Sequence, residues 1–256
     1  MAVRRSRSAR PPGRHYLRSR DFAAALVADA GVSSGELSLD LGAGEGIITR
    51  ALLDAGAHVC AVELDGTAVS TLRARFGTRV RVVPADARTV PLPLEPFRVV
   101  ANLPFAATSA IVRRLLADPQ LTQLDAIVEW GFAARRCAVW PSTLISVEWS
   151  SRFELELVRR VPRACFAPPP GVDAAVLRAV RRESPLVDDI DAYRAFLRRS
   201  FGDFPVERAL GRSAVRRVAH ELGFDPRARG RDLDGRQWAA LFNAARSTGR
   251  PRGTAR

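Results

Sequence analysis

Residues 36–46, ELSLDLGAGEG, decide the fold. Glu36 to Leu41 alternates apolar and polar side chains as a strand does. Glycines then recur at 42, 44 and 46, ahead of a run from Ile47 to Ala55 with the apolar spacing of a helix. Glycines in alternation let the backbone turn sharply and let a ligand approach the main chain closely. The same alternation continues outward. His58 to Glu63 (HVCAVE), Val80 to Val83, Phe97 to Ala101 (FRVVA) and Ala126 to Trp130 are strand-like. Thr67 to Phe76 and Thr108 to Leu116 are helix-like, and Asp21 to Ala30 is a helix upstream. Strands alternating with helices of about ten residues imply right-handed βαβ units and a mainly parallel sheet.

Beyond this core, Leu144 to Val161 shows two β-rich runs around Ser150-Ser151-Arg152. A Pro-rich break follows at Phe166–Gly171, and then Ala174 to Val180. This predicts an antiparallel edge on the parallel sheet. From Asp189 the pattern is helical, with Tyr193, Phe196, Leu197, Val215, Val218, Trp238, Leu241 and Phe242 on its apolar positions. The expected division is a basic flexible arm at 1–13, an α/β domain at 14–185, a small helical domain at 186–246 and a basic tail at 247–256.

The chain has 256 residues, 47% of them hydrophobic and 26% charged, which is ordinary globular usage and excludes wholesale disorder. No stretch approaches the length of a membrane-spanning helix, and the N-terminus lacks the apolar block of a secretory signal. A soluble, cytoplasmic protein is expected. Three scattered cysteines (Cys60, Cys137, Cys165) and three scattered histidines argue against a disulfide framework or a metal site.

The net charge is +13, and every one of its 40 basic residues is arginine. Residues 1–20 carry +7 and residues 207–256 carry +7, while the stretch between is near neutral at −1. Cationic ends on a neutral body suit a polyanion, most naturally nucleic acid. The guanidinium fork donates paired hydrogen bonds to phosphate and stacks on unpaired bases, which suits structured RNA.

The glycine loop narrows the ligand. A dinucleotide site has the spacing GxGxxG and sets pyrophosphate on the helix N-terminus. Here the spacing is GxGxG, and Glu45 lies inside the loop. An acid there repels pyrophosphate and tolerates a cationic or zwitterionic ligand. S-adenosylmethionine has ribose, adenine, an amino-acid head and a sulfonium, and no phosphate. Glu63 ends the next strand, within reach of ribose hydroxyls. Asp86, after strand 80–83, can accept the exocyclic amine of adenine. Alone, the loop also suits a plain strand–helix turn, and Asp86 a helix cap.

Strand 97–101 runs into Asn102-Leu103-Pro104-Phe105. An amine on a base is a poor nucleophile because its lone pair is delocalised into the ring. The Asn102 side-chain carbonyl and the Leu103 backbone carbonyl are two acceptors that can hold both N–H groups and leave the lone pair facing a methyl donor. Pro104 stiffens the turn, and Phe105 offers an aromatic face to a base that has left its stack. Alone, these four residues also fit a strand-ending turn.

Together, DLGAGEG, Glu63, Asp86 and NLPF resemble the rRNA adenine N6-methyltransferase superfamily, which includes the Erm macrolide-resistance enzymes and the 16S rRNA dimethyladenosine transferases. Arg14-His15-Tyr16-Leu17 is similar to the family's N-terminal Q-(N/H)-F-L segment, with Arg14 standing where Gln is usual. Phe166-Ala167-Pro168-Pro169-Pro170-Gly171-Val172-Asp173 is similar to its FxPxPxVD element. The likeness spans roughly residues 13–245. It implies a Rossmann-like S-adenosyl-L-methionine-dependent methyltransferase domain with a small C-terminal helical RNA-binding domain. It implies that His15, Leu17, Gly42, Gly44, Glu63, Leu64, Asp86, Ala87 and Asn102 contact the cofactor. Asn102 and Leu103 would orient the target amine, and Phe105 and Phe166 would flank the base.

Within the superfamily, NLPFAATSAIVRRLL, the Trp140–Trp149 stretch and VDAAVLR look Erm-like. That likeness implies methylation of one adenine in the peptidyl transferase loop of unassembled 23S rRNA, by a monomer with no membrane or metal partner, and hence macrolide, lincosamide and streptogramin B resistance. The 16S dimethyladenosine transferase and a non-catalytic RNA-binding relative are the alternatives.

Overall fold

The computed structural model describes residues 15–249. The arm at 1–13, Arg14 and most of the 247–256 tail lie outside them.

The chain opens with a two-residue strand, β1 (Tyr16–Leu17), and α1 (Arg20–Asp29). Five strands and four helices follow, with β4 leading directly to β5: β2 (Leu37–Leu41), α2 (Ile47–Asp54), β3 (His58–Glu63), α3 (Gly66–Phe76), β4 (Val80–Pro84), β5 (Phe97–Asn102), α4 (Thr108–Ala117), β6 (Leu121–Glu129) and α5 (Trp130–Cys137). Next come α6 (Leu144–Ser150), β7 (Phe153–Val161), β8 (Phe166–Ala167) and β9 (Ala174–Arg181). Four helices finish the chain: α7 (Ile190–Ser200), α8 (Val206–Leu210), α9 (Arg212–Leu222) and α10 (Gly235–Gly249).

The main sheet has the order β4-β3-β2-β5-β6-β9-β7. Strands β4, β3, β2, β5 and β6 run parallel, in register Leu41↔Val62, Glu63↔Pro84 and Asn102↔Ile127 at their carboxyl ends. The order reverses between β2 and β5, which is where open α/β sheets leave a crevice. The strands bury Leu39, Leu41, Val62, Val99, Val100 and Ile127 almost completely. Burial on both faces suits the apolar runs of β3 and β5, while in β2 it also encloses the polar Ser38 and Asp40.

Two segments depart from the sequence reading. The strand expected at Ala126–Trp130 is β6, which begins at Leu121 and stops at Glu129; Trp130 starts α5 instead. Leu144–Ser150, expected as a β-rich run, is the helix α6. Its start is fixed by a reciprocal cap: the Thr143 hydroxyl accepts from the Ser146 N–H at 3.1 Å, and the Ser146 hydroxyl accepts from the Thr143 N–H at 2.8 Å. The second β-rich run is a strand as expected, β7.

By its internal contacts the chain divides into two compact units. One holds residues up to Trp130 together with Arg159–Val176; the other holds Gly131–Val158 and the chain from Leu177 on. The second unit has its own core, built on Tyr193, Phe196, Trp238 and Phe242, with ring centroids 5.2–6.4 Å apart. Val147 of α6 belongs to that core, so this unit recruits residues ahead of the 186–246 segment expected to form it. Among the described residues, no helix is long and apolar enough to cross a membrane.

Candidate active site

The site is built at the carboxyl ends of β2, β3, β4 and β5. Leaving β2, the chain turns through Gly42, Gly44 and Gly46, all with positive φ (76°, 54° and 79°). The N–H groups of Gly42 and Ala43 both donate to the Val62 carbonyl, at 2.8 and 3.0 Å, which ties the turn to β3. At Gly44 the requirement is also spatial: a Cβ there would stand 3.1 Å from the Tyr16 ring.

Glu63 ends β3 and is 4% exposed. Its carboxylate accepts from the N–H of Gly44, of Leu64 and of Asp65, each at 2.8 Å. Two loops are therefore fastened to one side chain. Beyond β4, Asp86 accepts from the N–H of Arg88 at 2.8 Å and is gripped by its guanidinium at 2.5–3.1 Å. These hydrogen bonds hold the Asp86 carboxyl below the usual carboxylate range. Asp40, inside β2, is completely buried. Desolvation lifts its pKa to about 7, against the hydrogen bond it accepts from the Thr49 hydroxyl at 2.6 Å.

At the end of β5, Leu103 turns its side chain into the core (1% exposed) and donates its N–H to Ile127 at 3.1 Å. Asn102 donates Nδ2 to the His15 carbonyl at 2.8 Å. A carbonyl only accepts, so the amide orientation is fixed by that bond. Its Oδ1 is buried and has no hydrogen-bond partner. Burying an acceptor without a partner is unfavourable, and Asn102 is one of the residues that line the cleft at this sheet edge.

The N-terminal segment closes over this edge. β1 pairs antiparallel with β8, in register Tyr16↔Ala167 and Leu17↔Phe166. His15 Nδ1 lies 3.0 Å from the Pro168 carbonyl, and its ring is 5.7 Å from that of Phe105.

One cleft is lined by His15, Gly42, Glu63, Leu64, Asp86, Ala87, Asn102, Leu103 and Phe105, nine of the residues that the sequence singles out. Leu17 and Gly44 line a smaller cavity instead, which shares Tyr16, Gly42 and Asn102 with the cleft. Phe166 lines neither. It is 4% exposed, and its backbone pairs with Leu17 of β1. Sequence reasoning missed Tyr16 and Arg88. Tyr16 stands between two residues that it did select, and Arg88 lies two residues after Asp86.

Residues 7–210 match the family model described as ribosomal RNA adenine dimethylase. The chain belongs to that family. It is 32% identical over 246 residues to the mycinamicin-resistance protein MyrB of Micromonospora griseorubida, covering 93% of this chain and 79% of that one. It is 31% identical to the ribosomal RNA small subunit methyltransferase A of a Synechococcus strain, over 90% and 89% of the two chains. The crystal structure of the 23S rRNA methyltransferase ErmE superposes with a TM-score of 0.81 at 29% identity, covering 90% of this chain and 99% of that one. This dimethylase-family protein is therefore an rRNA adenine N6-methyltransferase, and its cofactor is S-adenosyl-L-methionine.

The cleft suits that cofactor. Among the described residues no arginine lines the cleft, so no guanidinium is there to pair with a phosphate. The charged side chains that do line it are Glu63 and Asp86, and the apolar ones include Val62, Leu64, Pro104 and Phe105. Carboxylates beside an apolar slot fit ribose, adenine and a positive sulfonium. When bound, the cofactor supplies a methyl group already activated for attack, leaving the protein mainly to position the reactants.

Proposed function

We propose that this protein methylates N6 of one adenine in the peptidyl transferase loop of 23S rRNA and thereby confers resistance to macrolides, lincosamides and streptogramin B. The likeness to ErmE carries this reading, because it extends over nearly all of that chain. Phe105 after Pro104 and the resistance-type relative MyrB support it. A methylated amine at that position blocks the drugs sterically.

In this reading Glu63 holds the ribose hydroxyls and Asp86 the adenine amine, with Leu64 and Ala87 packed beside them. Gly42 and Gly44 leave room for the methionine part, and His15 and Leu17 close over it. The Asn102 Oδ1 and the Leu103 carbonyl each accept one N–H of the target amine while Phe105 stacks on its ring. With both N–H groups so held, the lone pair would face the methyl group that S-adenosylmethionine would supply, and the surplus proton would pass to solvent. The protein works in the cytoplasm as a monomer on rRNA not yet assembled with ribosomal proteins. The helical segment 186–246 and the basic ends hold the RNA.

The Synechococcus relative favours a second reading, in which the target lies in 16S rRNA. Transfer of labelled methyl groups to protein-free 23S and 16S rRNA, with the modified base mapped, separates the two. Label on a single 23S adenine is expected. Label on 16S adenines alone overturns the 23S assignment, and no label on either RNA overturns both.

A further inference from the structure

The helix α9 presents a face whose charges serve no purpose within the protein. Its apolar side, Val215, Val218 and Ala219, is buried, the two valines in the core of the second unit. On its exposed side, Arg212, Arg216 and His220 fall on one line at i, i+4 and i+8, with Arg217 beside them. Among the described residues, none of these three arginines lies within 4 Å of a carboxylate. Some other arginines of this unit are paired: Arg194 with Glu148 and Asp191, Arg229 and Arg231 with Asp203, Arg246 with Asp189.

The placement works against the helix itself. Arg212 is its first residue, at the positive end of the helix dipole, and no acid stands in the first turn. Arg212 and Arg216 are like charges four apart, which repel. A local conflict with no local compensation points to a role outside the helix.

We infer that this face of α9 docks the phosphate backbone of the substrate RNA. The inference rests on the proposed action on rRNA, which supplies the polyanion. Planar guanidinium forks one turn apart suit successive phosphates. A bilayer surface fits poorly, because the apolar side of the helix is committed to the core and the exposed side offers nothing to insert.

The test uses the full-length chain with Arg212→Gln, Arg216→Gln and Arg217→Gln combined. Glutamine keeps helix propensity and removes the repulsion, so the fold should hold, with a thermal midpoint no lower than that of the parent. Binding to protein-free 23S rRNA is measured across salt concentrations. Each phosphate contact to a single strand contributes about 0.7 to the slope of log K against log salt, so the slope should fall by about 2. The apparent KM for RNA should rise about tenfold or more, with kcat at saturating RNA and S-adenosylmethionine affinity unchanged. A control removes three exposed arginines elsewhere (Arg73→Gln, Arg79→Gln, Arg113→Gln). An unchanged slope in the α9 variant, or an equal fall in the control, overturns the inference. Binding is read whichever RNA is methylated, so failure of the 23S assignment would be seen separately.

Discussion

The side-chain nitrogen of Asn102 is held by the backbone carbonyl of His15, across 87 residues of chain and at 2.8 Å. This bond fixes which way round the Asn102 amide sits and leaves its Oδ1 buried and unpartnered. Because β1 is held by β8, the orientation of a residue on β5 depends on a two-residue strand near the N-terminus. Asn102→Ala should retain S-adenosylmethionine binding and lower kcat on the order of 10²–10³-fold, as when one preorganised hydrogen-bonding group is removed from a transition state. Deleting residues through Leu17 should lower kcat too. Combining the two should add little, since both act through the same amide. Multiplicative losses in single-turnover assays would separate the two effects and refute the coupling.

Gly44 has φ 54°, and the Tyr16 ring closes the space where a Cβ would stand. Alanine in the left-handed region costs roughly 1–2 kcal/mol before any clash. Gly44→Ala should therefore weaken S-adenosylmethionine binding by about tenfold, each 1.4 kcal/mol being a factor of ten. Adding Tyr16→Ala should restore part of the loss by opening the space. Titration calorimetry reads both, and full affinity in the single variant would show that the loop tolerates a side chain.

How much of this was legible follows from the range of each signal. The βαβ order, the glycine loop, Glu63, Asp86 and Asn102 are all local to strand ends, where a few consecutive residues set both backbone and chemistry. α6 was not legible, because Leu144, Ile145 and Val147 have strand-like composition. The Thr143–Ser146 cap and the burial of Val147 and Trp149 override it. β1 and β8 could not be found from propensity, since each is two residues long and exists only by pairing with the other. Tyr16 was missed for the same reason, because its place depends on that pairing.

Phe166 is buried and pairs with β1, so its loss should act first on stability. Truncating a buried Phe to Ala costs about 3–5 kcal/mol. For a protein of this size that lowers the thermal midpoint by on the order of ten degrees. Well below the new midpoint, Phe166→Ala should keep kcat within a few-fold of the parent at saturating RNA. A rate loss of 100-fold or more with an unchanged midpoint would instead place the ring against the target base.

Asp40 gives a pH dependence whose sign is opposite to that of most carboxylates. Burial raises its pKa in the folded state to about 7, while the unfolded chain keeps the ordinary carboxylate value. Between those limits the folded state holds a proton that the unfolded state has lost. The contribution of Asp40 is therefore fully present below about pH 4 and is lost as pH rises toward 7, with no further change above. The full span corresponds to on the order of 4 kcal/mol. Asp40→Asn keeps an oxygen to accept from the Thr49 hydroxyl and cannot ionise. Relative to the parent, the variant should become steadily more stable from pH 5 to pH 7, with the gap levelling off by pH 8. Urea midpoints at pH 5, 6, 7 and 8 measure this. Since Asp40 also lines the small cavity beside Gly44 and Asn102, a cationic ligand there favours its ionised form. S-adenosylmethionine binding should therefore tighten through pH 7 in the parent but not in Asp40→Asn. A stability gap that stays constant with pH would mean that Asp40 is already ionised in the folded protein.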